Sequence, residues 1–182
     1  MIFRCRNARG FTVVEMLMVV SMIAVLAVIG LPVMKDMTQS IKLSEASRMV
    51  EREMQDARLK AVSSNRLIRV RLNCPTTGYI RSVEVLGSST DNATNRCMTT
   101  PFPFPPADND IMTRPNFDGP PRVLPAGATV SDRVLQFSPD GTASEVVSGV
   151  VTTIATPVEI TITRDGKSKT VTVNNAGKIQ LK

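Results

Sequence analysis

The stretch RGFTVVEMLMVVSMIAVLAVIGLPVM, residues 9–34, decides how this chain is organised. Within it, residues 11–34 contain a single charged side chain, that of Glu15. A helix of that length spans about 36 Å, enough to cross a hydrocarbon core of about 30 Å. Because apolar residues occupy every side of such a helix, the sequence predicts a segment that faces lipid or is deeply buried.

Three arginines precede the apolar run and predict its orientation. Arg4, Arg6 and Arg9 lie before it, and basic residues favour the cytoplasmic side of a membrane, so the rest of the chain is expected to be translocated. Without these arginines the formal net charge of the chain falls from +6 to +3. Half of the positive excess therefore belongs to the leader, which weakens the case for a nucleic-acid-binding surface.

Three ordinary explanations of the apolar run fit it poorly. A cleaved secretory signal has an apolar core of about 7–15 residues and a small-x-small site, whereas this run is longer and residues 28–30 form a poor site. A lipoprotein signal places its cysteine after the core, but Cys5 comes before it. A plain anchor does not explain Glu15, since a carboxylate in a membrane helix costs about 2–3 kcal/mol. A Glu15 side chain that reaches the membrane interface is the remaining simple alternative.

Residues 9–15, Arg-Gly-Phe-Thr-Val-Val-Glu, resemble the type III signal of type IV prepilins and pseudopilins. In that signal a short basic leader ends in Gly and is followed by Phe and, four residues later, by Glu. The resemblance implies that a prepilin peptidase cuts between Gly10 and Phe11 and methylates the new amino group of Phe11. It also implies that Glu15 neutralises the Phe11 amine of a neighbouring subunit, which would set the register of a helical filament because an unpaired buried charge is costly.

The segment after the apolar run keeps a helical period. Pilin stems commonly carry a proline at this depth, so the resemblance implies a helix kink at Pro32, where the missing N–H permits it. No further Gly or Pro occurs before Pro75, and good helix formers dominate. Residues 35–66 are therefore predicted to be the amphipathic second half of one long helix. The apolar stripe expected to lie on the following sheet comprises Met37, Ile41, Met49, Val50, Met54, Ala57 and Ala61.

Beyond the helix the hydrophobic period changes from 3.6 to 2, which predicts strands. The segment 88–130 is rich in Pro, Asn and Asp and has no period, so we expect a long, mobile surface loop that is partly disordered. The domain organisation is then a leader at 1–10, a transmembrane and filament-core helix at 11–34, an amphipathic helix at 35–66 and a periplasmic β-sheet domain at 67–182. The predicted strands are 67–72, 79–86, 134–137, 158–163, 170–173 and 179–181.

The order of these segments resembles the GspH/FimT family, that is, the H-type pseudopilins and FimT-like minor pilins. The resemblance rests on residues 57–62 (ARLKAV) with Asn65, on the Phe-x-Pro-x-Gly turn at 137–141, and on Gly177 before the last strand. It implies an α+β pilin fold, in which the long N-terminal helix packs on an antiparallel β-sheet domain. It covers both ends of the chain well and the segment 88–130 hardly at all.

The cysteine count predicts one disulfide. Cys5 lies in the leader and is lost on processing, which leaves Cys74 and Cys97 as a pair in a domain expected outside the cytoplasm, where disulfides persist. Bridging them would close a loop of about 23 residues and stabilise the domain by about 3 kcal/mol. Two free buried thiols and a redox-active pair are the alternatives.

Composition argues against an enzyme. The chain has no His and only three Cys, which excludes Ser-His-Asp and Cys-His sites and the usual zinc and iron centres. Residues 108–110 (Asp-Asn-Asp) with Asp118 are a possible Ca²⁺ cluster, but their spacing does not match an EF-hand, and a solvated loop explains them more simply. Ala176-Gly177-Lys178 lacks the spacing of a phosphate-binding loop. We expect neither a metal nor another cofactor.

The predicted function is that of a type IV pilin-like minor pilin or pseudopilin, an initiation or tip subunit of a type IV pilus or a type II secretion pseudopilus. The implied partners are the prepilin peptidase, an inner-membrane assembly platform, other pilins or pseudopilins in a helical filament, and membrane lipid before assembly. The precursor would cross the inner membrane once, with its N-terminus in the cytoplasm. A DNA-binding minor pilin for DNA uptake is the alternative. DNA binding would use basic residues in a stretch that has no aromatic residue to stack on bases. These residues are Arg164, Lys167, Lys169, Lys178 and Lys182.

Overall fold

The structure, a computed structural model, describes residues 10–105, 107–110 and 115–182. Residues 1–9, which hold most of the predicted leader and Cys5, lie outside the described part. The chain divides into two compact units, Met1–Thr38 and Gln39–Lys182. A single helix, α1 (Val13–Ser64), begins in the first unit and ends in the second. Its backbone is helical through Pro32, and the kink expected there stays a prediction.

The second half of α1 buries one face, at the spacing that an amphipathic helix requires. Met37 and Ile41, which the predicted stripe included, are exposed, and Met49 is half-buried. This part of the prediction was wrong because the sheets cover the helix only from Leu43 onward. The buried residues of this part of α1 are Leu43, Ala46, Ser47, Val50, Glu53, Met54, Ala57 and Ala61.

The helix ends with a cap that its sequence encodes. Asn65 follows the last helical residue, Ser64, and adopts φ +54°, a left-handed conformation that Asn tolerates better than most side chains. The Arg66 N–H then donates to the Ala61 carbonyl at 3.2 Å, which satisfies one of the carbonyls left free at a helix end. This cap turns the chain from the helix into the first strand.

In the part of the chain that the structure describes, ten strands form two sheets, and every pairing between strands is antiparallel. The larger sheet has the order β3-β2-β1-β5-β6-β7, and the smaller sheet has the order β10-β9-β8-β4. The strands are β1 (Ile68–Leu72), β2 (Tyr79–Glu84), β3 (Arg122–Val123), β4 (Thr129–Val130), β5 (Val134–Phe137), β6 (Ala143–Val147), β7 (Val150–Thr153), β8 (Val158–Arg164), β9 (Lys167–Val173) and β10 (Ile179–Leu181).

Every predicted strand is present, but four were missed. β3 and β4 have two residues each and lie in the segment expected to be a loop. β6 and β7 contain adjacent valines rather than alternating apolar and polar residues, so no period of two marks them. The predicted antiparallel β-sheet domain is thus built from two sheets.

One hydrophobic core joins the buried face of α1 to both sheets. The two sheets supply this core at alternating positions, because successive side chains of a strand point to opposite faces. Each fully buried aliphatic or aromatic side chain contributes about 1.5–3 kcal/mol. The strand residues of the core that are fully buried are Ile68, Val70, Leu72, Ile80, Leu135, Phe137, Ala143, Ile160, Ile162, Val171 and Val173.

Segment 88–130 is irregular in path, as expected, but its described part is fixed by buried charges rather than loose. Arg96 is buried and forms a bidentate pair with Asp118, in which Nη2 lies 2.8 Å from Oδ1. Arg81, which projects from β2 and is also buried, donates to the carbonyls of Gly119 at 2.9 Å and Phe102 at 2.7 Å. The Phe102 ring lies 4.7 Å from the Arg96 guanidinium carbon, a cation–π contact.

This arrangement explains how two guanidinium groups tolerate burial. Burial lowers the pKa of Arg81 from its ordinary value, and the nearby Asp118 carboxylate opposes that change. The Asp118 Oδ1 also accepts a hydrogen bond from the Glu84 N–H at 2.8 Å. Because Asp118 serves both arginines and a strand N–H, it is the residue on which this cluster depends.

The segment is also tied to the helix. Arg122 donates from Nε to the Glu53 carboxylate at 3.0 Å, and Lys60 donates to the Phe117 carbonyl at 3.2 Å. Burial raises the pKa of Glu53, and the Arg122 charge opposes that rise. Glu53 and Lys60 of α1 therefore hold segment 88–130 against the helix.

The predicted disulfide is present. Cys74 and Cys97 are bonded, their Cα atoms lie 5.6 Å apart, and the bridge ties the end of β1 to segment 88–130. It therefore acts on the same segment as the buried arginines do.

We expect the double substitution Cys74→Ser and Cys97→Ser to lower the free energy of unfolding by about 3 kcal/mol, because it frees a 23-residue loop in the unfolded state. Urea unfolding of the full chain in detergent, followed by circular dichroism, measures this difference. Cys5→Ser is the matched control and should change nothing, since Cys5 lies outside the domain. Equal midpoints for the double variant and the parent chain would contradict the prediction.

Candidate assembly site

The start of α1 is built by a local capping interaction. The Glu15 N–H donates to the Thr12 side-chain hydroxyl at 3.2 Å, and the Met16 N–H donates to the Thr12 carbonyl at 3.1 Å. Thr12 is therefore the N-cap residue, which satisfies donors that a helix start leaves free. This role was not predicted from the sequence, although Thr followed three residues later by Glu is a known signature of a helix start.

Glu15 lies in the first turn of α1 and is exposed. The positive end of the helix dipole stabilises a carboxylate at this position. Among residues 10–105, 107–110 and 115–182, no Lys or Arg forms an ion pair with Glu15. A single copy of the chain thus presents a carboxylate that has no cationic partner in its described part.

Gly10 and Phe11 precede the cap and are exposed, with Phe11 76% accessible. A Cβ atom added at Gly10 would meet no atom of the described residues within 4 Å. Gly10, Phe11, Thr12 and Glu15 therefore come together at one end of α1 in an open stretch of chain. The other predicted site residues, Cys74 and Cys97, belong to the second unit and have a structural role.

The first part of α1 is apolar on all sides and exposed. Its most apolar stretch of 18 residues has a mean hydropathy of 2.7, and none of that stretch is buried within the chain. Residues 13–34 span about 33 Å, which by length and composition suffices to cross a membrane. So large an apolar surface requires lipid or other apolar helices around it.

Arg58 connects the sequence motifs of the second unit. It projects from α1 and donates from Nε to the Gly141 carbonyl at 3.0 Å and from Nη2 to the Ala176 carbonyl at 3.3 Å. Gly177 has φ +69°, and a Cβ there would lie 2.1 Å from the Gly141 carbonyl oxygen. The motif at 57–62, the turn at 137–141 and Gly177 thus meet at one place, which only glycine at 177 permits.

The basic residues considered for DNA binding are in part engaged within the chain. Arg164 donates to the Ala126 carbonyl and to Asp165, and Lys169 donates to the Ser44 hydroxyl at 3.0 Å. Lys178 and Lys182 are exposed.

The possible calcium cluster is likewise engaged internally. Asp118 pairs with the buried arginines, and Asp108 accepts hydrogen bonds from the Asn116 side chain and from the Asp110 N–H at 2.9 Å. In the part of the chain that the structure describes, no group of three or more acidic, Cys or His residues could hold a metal ion.

Two sequence families match this chain. Residues 46–177 match the family described as type II transport protein GspH, and residues 5–31 match the prokaryotic N-terminal methylation motif. The first match covers more than half of the chain. The comparison with curated protein sequences found no match.

Solved structures share the fold. The crystal structure of the type IV minor pilin FimU of Pseudomonas aeruginosa aligns with a TM-score of 0.50 and 19% identity, over 80% of this chain and 92% of that chain. The minor pseudopilin EpsH from the type 2 secretion system of Vibrio cholerae aligns with a TM-score of 0.46 and 13% identity, over 78% of this chain and 96% of that chain. The likeness to FimU shows that a long helix packed on antiparallel sheets is here the pilin fold.

Proposed function

The chain belongs to the GspH family, and we therefore propose that it is a minor pilin or pseudopilin that a prepilin peptidase processes and that is then built into a filament by its helical stem. Pilins and pseudopilins are structural proteins, in keeping with a chain that has no His. The proposal covers both the type IV pilus and the type II secretion pseudopilus, since the two machines use the same signal and stem.

The observation that carries the proposal is the combination found at the start of α1. A match to an N-terminal methylation motif coincides with an exposed Gly10–Phe11 bond, an exposed apolar stem and a Glu15 that forms no ion pair among the described residues. Each of these features alone fits other anchored proteins. Together they fit a subunit whose stem leaves lipid and enters a bundle of identical or related stems.

The proposed steps of assembly follow from the apolar surroundings of the stem. Before assembly, lipid surrounds the stem, and the chain crosses the inner membrane once with its domain on the periplasmic side. Cleavage after Gly10 creates an ammonium group on Phe11 close to the helix start. When stems pack together, lipid is replaced by apolar side chains, and an ammonium and a carboxylate that are both desolvated gain most by pairing between subunits. Glu15 would then fix the axial position of the subunit, which we place at the tip of the filament, where assembly is initiated.

We expect Glu15→Ala to leave cleavage and membrane insertion intact and to abolish incorporation into the filament. The Phe11 amine of the neighbouring subunit would be buried without a partner, which costs about 3–5 kcal/mol. Fractionation of cells expressing the full chain, with immunoblots of the membrane and sheared-filament fractions, measures this.

Glu45→Ala is the matched control, because Glu45 is an exposed acidic residue farther along the same helix. It should assemble like the parent chain. If the Glu15→Ala chain appeared in the filament fraction in the same amount as the parent chain, the proposed role of the Glu15 carboxylate would be contradicted.

A further inference from the structure

Each sheet of this domain has two edge strands, and three of the four edges are protected. β3 contains only two residues, one of them Arg122, and follows two prolines. β4 also has two residues, and its Val130 carbonyl accepts a hydrogen bond from the Asn73 side chain at 2.9 Å. β10 has three residues and is flanked by Lys178 and Lys182. Short length, charge, proline and coverage are the means by which proteins prevent edge-to-edge pairing.

The fourth edge, β7, has none of these protections. It is four residues long, Val-Val-Thr-Thr, and all four residues are exposed, with Val150 64% and Val151 47% accessible. In the described part of the chain β7 pairs only with β6, so one side of its backbone has no strand partner. Residues 146–158 contain no charged side chain, the longest such run outside the apolar stem.

β7 is already ordered within the single chain. β6 and β7 form a hairpin whose turn residues, Ser148 and Gly149, have φ of +51° and +83°, the backbone that favours a tight two-residue turn. The Asn92 side chain donates to the Gly149 carbonyl at 3.4 Å, and the Thr152 hydroxyl donates to the Glu145 carbonyl at 3.2 Å. An ordered strand loses little conformational entropy when it binds.

We propose that β7 is a docking strand, to which an extended, uncharged segment of a different subunit of the same filament adds as a further strand of the larger sheet. Backbone hydrogen bonds would supply the affinity, and β-branched side chains opposite the valines and threonines would supply the fit. Charged segments are excluded because β7 offers them no counter-charge.

A different protein, rather than a second copy, is the occupant. This step rests on the proposed function: along a filament each contact joins two different surfaces of neighbouring subunits, so a second copy would have to offer β7 one of its other strand edges. A β7–β7 pair would instead be a twofold contact that closes on itself. The other edges of this chain are short, charged or covered, and none of them matches β7 as a partner.

The test uses the full chain in its own cells, with a photo-reactive amino acid placed at Thr153 in β7 or, as control, at Ser168, an exposed strand residue of the smaller sheet. Irradiation of isolated filaments, followed by mass spectrometry of the adducts, identifies the partner. We expect a single heterotypic adduct from Thr153, joined to an uncharged segment, and none from Ser168. An adduct with a second copy of this chain alone, or no adduct in filaments that contain the subunit, would overturn the proposal.

A pair of matched substitutions completes the test. Val151→Lys should reduce the adduct formed from Thr153 by roughly tenfold or more, since a lysine would be desolvated in the new sheet. Val123→Lys places the same charge at the opposite edge of the same sheet, where the side chain is 54% exposed, and should leave the adduct unchanged. Equal adduct yields from both variants would contradict the docking strand. If the parent chain is absent from filaments, the proposed function fails instead, so the two failures are distinguishable.

Discussion

A Gly10→Leu chain should accumulate in the membrane as uncut precursor, with near-complete loss of cleavage. Within the described residues, a Cβ at Gly10 has open space around it, so we expect a larger side chain to leave the fold undisturbed. Any loss therefore reflects the peptidase, which has to bring the Gly10–Phe11 bond into its own active site. Immunoblots that separate precursor from mature chain by size measure the cut fraction.

Gly30→Leu is the matched control for this experiment. Gly30 lies in the apolar segment that follows the leader, and it also has no described atom within 4 Å of an added Cβ; leucine is the better helix former there. This variant should be cut as the parent chain is. Mature-sized Gly10→Leu protein would show that the cut site lies elsewhere.

The second large effect is expected in the domain. Asp118→Ala should lower the free energy of unfolding by about 3–5 kcal/mol, because it leaves two buried guanidinium groups without their carboxylate. Against a total stability of about 5–15 kcal/mol, such a loss brings the domain close to unfolding. Urea unfolding of the full chain in detergent measures it.

Two further variants show whether the loss of stability comes from the buried ion pairs. Asp56→Ala removes an exposed acidic residue and should change the stability by less than about 0.5 kcal/mol. Removing both charges, with Asp118→Ala combined with Arg96→Leu, should cost less than the sum of the two single changes, because the residues share one interaction. An Asp118→Ala chain as stable as the Asp56→Ala chain would mean that the buried cluster does not hold segment 88–130.

The sequence predicts the stem better than the domain, for a physical reason. The apolar run, the Gly10–Phe11 site and Glu15 are local patterns, and the helix that they start depends on residues close in sequence. The strands with alternating side chains were equally local and were found. The division of these strands into two sheets was not predicted, because it depends on which segments that are distant in sequence pair with one another.

The features that were missed depend on long-range burial. Arg81 and Arg96 would ordinarily be expected on the surface, and only their approach to Asp118 makes burial tolerable. Phe102 and Phe104 in the proline-rich stretch were the available signal, since each ring lies against one of these guanidinium groups. Met37 and Ile41 continue the apolar period of the helix, but the sheets do not extend over them.

The proposed function requires that the subunit carries a newly made amino group on Phe11 when it joins the filament. This amine is expected to meet Glu15 of a neighbouring subunit. Mass spectrometry of the N-terminal peptide, taken from protein in sheared filaments, tests this directly. The account predicts a peptide that begins at Phe11 and carries one methyl group on its amine. A peptide that begins at Met1 or elsewhere in the leader, recovered from assembled protein, would contradict it.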